Sequence, residues 1–147
     1  MKEQLRNIKT SLVKLNIDNV HSKFFVLFFA GLGFIRGADW IRTENEHLKS
    51  VSDIYIKMSE VMDINTLGWL LVLFSVLLFL SLFFDESVES WFCVVGGFVC
   101  GTIYLLYGMI SVDNSDLAAT YYIGFLTAVM DYVIFITGVV NLWKIKN

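Results

Sequence analysis

The stretch SWFCVVGGFVCGTIYLLYGMISV, residues 90–112, runs for 23 residues without a charged side chain. A helix rises 1.5 Å per residue, so about 20 apolar residues cross the hydrocarbon core of a bilayer. An open strand of the same length would leave its backbone groups unpaired in lipid, which makes the span a helix. Two more runs read the same way. Residues 66–84 are 19 uncharged residues, and residues 117–143 are 27, interrupted only by Asp131. A fourth run, residues 24–35, has 12 apolar residues before Arg36 and reaches spanning length only through Asp39 to Trp40 or Ile41. A secretory leader shares its basic start and short apolar centre. Arg36, however, stands where the small residues of a cleavage site belong, so a span is expected. The chain is therefore expected to be all-α: an integral membrane four-helix bundle in residues 24–147, with spans near 24–41, 66–84, 90–112 and 117–142.

Composition supports this. Of 147 residues 56 % are hydrophobic and 17 % charged, and none is proline. Mean hydropathy is +0.66. A soluble domain of this size buries too little of its surface to hide so much apolar material. A disordered chain, a disulfide scaffold and an ordinary cytosolic enzyme are excluded. A net charge of −3 argues against nucleic acid as a partner.

Polar residues mark the ends of the spans. Trp40, Trp69, Trp91 and Trp143 each fall near a predicted terminus, and Tyr104, Tyr107, Tyr121 and Tyr122 flank the third connection. Such rings favour the headgroup level, where one edge is apolar and the other wet. Four spans put both termini on one side. That side collects Lys2, Arg6, Lys9, Lys14, Lys23, Lys144 and Lys146, against Arg42, Lys49 and Lys57 on the other. The excess of Lys and Arg predicts cytoplasmic termini in an inner (cytoplasmic) membrane. The acidic turn at Asp85, Glu86 and Glu89 then also faces the cytoplasm. Leu5, Ile8, Leu12 and Leu15 form an apolar stripe on a basic segment. Residues 1–20 are thus expected to form an amphipathic helix holding Lys2, Arg6, Lys9 and Lys14 against anionic lipid, with a break at residues 16–19. Leu48, Val51, Tyr55, Met58 and Met62 give the 43–64 connection a helical stripe of its own. It is expected either to pack across the mouth of the bundle or to meet another subunit.

Catalytic chemistry has few candidates. His21 and His47 are far apart, Cys93 and Cys100 lie two turns apart within one span, and no nucleophile, metal or phosphate motif is present. No catalytic residue, metal site or cofactor is expected. Small residues are patterned instead. Cys93, Gly97, Gly101 and Gly108 form a stripe on the third span, Gly124 and Ala128 continue one on the fourth, and Gly33 and Gly37 form a second GxxxG on the first. Close approach of helix backbones through such residues drives association in lipid. The short third connection makes the last two spans antiparallel neighbours with Gly97 level with Asp131. The stripe is expected to receive the fourth span or another subunit, and a homo-oligomer through Gly97 and Gly101 is predicted. The second span, Leu, Val and Phe on every face apart from Ser75 and Ser81, reads as the lipid-facing helix.

Charges inside the spans are costly and mark function by default. Arg36 lies 13 residues from Lys23, and Asp131 lies 13 from Lys144, so both sit at one depth. An Arg36–Asp131 pair is expected, with Asp39 one turn further out, either locking two helices or lining a polar path. Three functions fit this reading. The first is an oligomeric scaffold or sensor subunit for a soluble cytoplasmic partner, in the manner of bacterial anti-phage or immunity systems. The second is a holin-like pore, and the third a small ion-coupled transporter using Asp131. The lipid bilayer is a partner in all three.

Overall fold

The computed structural model describes residues 17–42, 53–114 and 118–147. Among these residues there are five helices and no strand: α1 (Ile17–Arg42), α2 (Asp53–Val61), α3 (Ile64–Ser81), α4 (Glu86–Asn114) and α5 (Ala118–Lys146). Four of them, all but the nine-residue α2, are long and apolar enough to cross a membrane. The all-α membrane bundle is thus what forms, and its outward faces are apolar too. Phe24, Ile35, Trp69, Leu126 and Trp143 are each more than half exposed, as lipid-facing side chains must be.

Helix boundaries follow end chemistry. Asp63 caps α3: its Oδ2 accepts from the Thr66 backbone N–H at 3.1 Å and from the Thr66 hydroxyl at 3.3 Å. α4 begins at Glu86, four residues before the uncharged run. Glu86 and Glu89, read from sequence as a turn, occupy its first turn, where the helix dipole favours acids. α5 runs on to Lys146, with Lys144 and Lys146 in its last turn, where cations are favoured. Residues 17–19 of the predicted break belong to α1, which is helical from Ile17, and Asn16 lies outside the described residues. The rest of the basic segment, including Lys2, Arg6, Lys9 and Lys14, lies outside the described residues, as does the 43–52 part of the second polar stretch.

Successive long helices pack antiparallel: α1 on α3, α3 on α4, and α4 on α5, while α1 and α5 meet only marginally. This order corrects the reading of the second span. α3 is central, packed between α1 and α4, and leaves only its outer face, with Trp69 and Leu73, to lipid. It buries Ile64, Leu67, Gly68, Leu71, Ser75, Leu78 and Ser81 along one face. Its other faces are equally apolar, so the sequence carries no contrast to reveal which one is inside. α2 lies against α4 and α3 through Ile54 and Met58, so the part of the polar stretch that is described packs onto the bundle.

Candidate functional site

The glycines set the helix spacing. A Cβ on Gly97 would stand 2.7 Å from the Asp131 carbonyl oxygen and 2.8 Å from the Phe135 backbone nitrogen. One on Gly108 would stand 3.2 Å from Phe125 N, and one on Gly138 would stand 2.8 Å from Ser90 O. Gly101 faces Ala128 and Asp131, and Gly124 faces Tyr107 and Gly108. The expected α4–α5 register, Gly97 level with Asp131, is what forms. The consequence for assembly is a correction: the Gly97/Gly101 seam is filled by α5 of the same chain, so it is not free to mate with another subunit. Gly33 and Gly37 are likewise spent on α3, against Ser75 and against the Gly68 carbonyl. Cys93 and Cys100 are free thiols on the opposite seam of α4. Cys93 Sγ donates to Ser81 Oγ at 3.7 Å, and Cys100 Sγ lies 3.8 Å from Ser75 Oγ. The two serines that interrupt the second span are the partners of the two cysteines on the third. Small polar residues at similar spacings in two apolar runs, Ser75 and Ser81 against Cys93 and Cys100, are the sequence signal that could have found this pairing.

The predicted Arg36–Asp131 pair does not form. Arg36 lies over the Tyr107 ring, 4.3 Å from its centroid, and 6.0 Å from that of Trp40. It thus takes aromatic faces rather than a carboxylate as its neighbours. The physical reason is helix order. Equal depth sets two residues level, but α1 packs on α3 and α5 on α4, so the two charges face different seams. Asp39, exposed, shares with Arg36 a cleft of about 270 Å³ that also touches Tyr55 and Tyr104. Trp40, Tyr104 and Tyr107, read as headgroup markers, are buried at 2–4 % exposure and fill the space between α1 and α4. Trp69, Trp91 and Trp143 face outward as expected.

Asp131 is the exceptional residue. It is 1 % exposed, and neither carboxyl oxygen has a hydrogen-bond partner. The buried serines and threonine among the described residues each have a partner. Ser81 donates to Leu78 O, Ser90 to Glu86 O, Ser111 to Tyr107 O and Thr127 to Ile123 O, while Ser75 meets Cys100. Asp131 stands 13 residues from Ala118 and 13 from Lys144, at the middle of α5. Clefts approach it from both ends of the bundle. From the Lys144 end, a groove of about 260 Å³ reaches Cys93 and Ile134, the latter one turn from Asp131. From the Arg42 end, the Arg36 cleft reaches Tyr104, one turn beyond Cys100 on α4. No group of three or more His, Cys, Asp or Glu among the described residues is arranged to hold a metal ion.

Fold and site together define an all-α bundle with four candidate membrane spans and, among the described residues, one buried acid without a partner. Comparison with protein families, with curated proteins and with solved structures finds no match.

Proposed function

We propose that this chain is a non-enzymatic protein of the bacterial cytoplasmic membrane, with both termini cytoplasmic, in which Asp131 binds a proton or a small cation as part of ion-coupled transport. One observation carries the reading: both oxygens of Asp131 are buried and unpartnered, while the buried serines and threonine among the described residues each have a partner. A buried polar group left unpaired costs about 1–3 kcal/mol, and more when charged. An acid kept at that cost in mid-membrane has room for one further partner that the protein itself does not supply. A groove that reaches Ile134, one turn from Asp131 on α5, supports access from the Lys144 end.

Proteoliposomes holding a pH-sensitive dye test this. Under an imposed proton or sodium gradient, the unmodified protein is expected to speed the collapse of the gradient while a large trapped dye stays inside. Asp131→Asn, close to isosteric, is expected to abolish the effect. Equal rates for the two proteins overturn the reading, and leakage of the large dye points to the pore alternative.

A second reading, the scaffold or sensor subunit, is favoured by α2. Ile56, Val61 and Met62 are exposed there, beyond the α1 and α3 spans, where lipid does not account for them. This apolar edge suits a partner protein or a second copy of the chain. Co-purification that is lost on Ile56→Asp with Val61→Asp supports this reading, and a monomeric, unaccompanied protein counts against it.

A further inference from the structure

The weak contact between α1 and α5 leaves a cleft that opens at the Lys144 end of the bundle. Its mouth, about 660 Å³, carries charges of both signs: Lys23 from α1 and Lys144 from α5 on one hand, and Asp85, Glu86 and Glu89 from the start of α4 on the other. The mouth shares Ser22, Glu89, Ser90, Thr137 and Asn141 with the narrower groove behind it. There the walls turn apolar, with Phe25 and Val26 on α1 and Val133 and Ile134 on α5. A polar mouth at the membrane surface thus leads into an apolar slot running toward the bilayer centre.

We propose that this cleft is a binding site for a phospholipid with a phosphoethanolamine headgroup, one acyl chain lying in the groove. Charge complementarity selects the headgroup. A purely anionic headgroup would satisfy the two lysines but stand against three carboxylates, and a cationic one would reverse the conflict. A zwitterion carries its phosphate to Lys23 and Lys144 and its ammonium to Asp85, Glu86 and Glu89. The Lys23 ammonium has three donors, and its bond to Leu82 O is long at 3.4 Å, so donors remain for a phosphate. A primary ammonium also donates hydrogen bonds to the carboxylates, which a quaternary ammonium cannot do. The acyl chain explains why the slot behind the mouth is apolar. The slot is the same groove that approaches Asp131 from the Lys144 end, so a bound acyl chain covers that approach, and lipid retention is read separately from ion movement.

The test uses the intact protein in nanodiscs of equal parts phosphatidylethanolamine, phosphatidylcholine and phosphatidylglycerol. The lipids retained after transfer to mild detergent are read by native mass spectrometry. Retained lipid is expected to be enriched several-fold in phosphatidylethanolamine over both of the others. Lys144→Glu, at the exposed end of α5, is expected to remove the enrichment with folding unchanged. Val133→Trp, which fills the groove from a half-exposed position, is expected to lower total retention. Equal retention of the three lipids, enrichment that survives Lys144→Glu, or displacement by soluble glycerophosphoethanolamine as effective as that by the whole lipid would each overturn the proposal.

Discussion

At the scale of single residues, Arg36 and Asp131 lie on different seams of the bundle. Counting from Lys23 and Lys144 places Arg36 and Asp131 level, but a count along a helix says nothing about rotation about its axis. Arg36 faces Tyr107 and Trp40, and Asp131 faces the α4 seam. The two residues are therefore expected to behave independently. In a double-mutant cycle of Arg36→Met and Asp131→Asn, read by unfolding in detergent, the coupling energy is expected to stay within about 0.5 kcal/mol, the range for sites that share no partner. A coupling of several kcal/mol would restore the ion pair. Arg36 has a measurable partner of its own. Tyr107→Leu removes the ring beneath the guanidinium, and a cation–π contact is worth about 0.5–2 kcal/mol depending on solvation. Tyr107→Leu is thus expected to destabilise the unmodified protein more than it destabilises Arg36→Met. Equal losses in both backgrounds would show that the ring acts only by packing.

At the scale of elements, the glycines divide by what surrounds them. Sequence spacing identified the α4 stripe and its register against α5, because a short connection leaves little freedom in how two long helices align. It did not say whether the stripe served this chain or a neighbour. Backbone atoms of Asp131 and Phe135 occupy the space a Gly97 Cβ would need, and backbone cannot swing aside as a side chain can. Gly97→Ala is expected to cost about 1–3 kcal/mol through overpacking, and Gly97→Leu to prevent folding. Gly31 is the control. A Cβ there meets nothing within 4 Å, so Gly31→Ala is expected to be neutral or to stabilise by up to about 1 kcal/mol through helix propensity. Melting temperatures in detergent read both. If Gly97→Leu gave a folded protein that merely lost its oligomeric state, the seam would belong to a subunit contact after all. α3 was misplaced for a related reason. The buried face is found by contrast with a polar one, and a helix that is apolar all round offers none.

At the scale of the whole molecule, run length gave three of the four spans, because the thickness of the bilayer sets a length that few sequences meet by chance, and the first span needed the turn from Arg36 to Asp39 counted in. Sidedness rests on the chain's charge distribution across those spans. Antiparallel packing of successive spans places the start of α1, the α3–α4 turn and the end of α5 at one end of the bundle, and α2 at the other. Lys23, Lys144 and Lys146 belong to the first end, while Arg42 and Lys57 belong to the second; by sequence alone Lys2, Arg6, Lys9 and Lys14 count with the first and Lys49 with the second. Short-loop Lys and Arg set orientation, and acids contribute little, so Asp85, Glu86 and Glu89 do not cancel the bias. The termini are therefore expected in the cytoplasm. Thiol labelling in intact cells reads this with little background, since Cys93 and Cys100 are both buried. Lys57→Cys, on the exposed face of α2, is expected to react with a membrane-impermeant maleimide added outside, and Lys146→Cys only after the cells are opened. The reverse pattern would invert the protein. It would place the mixed-charge mouth between Lys23, Lys144 and the acids on the outer face, and it would make Arg36 the residue nearer the cytoplasm.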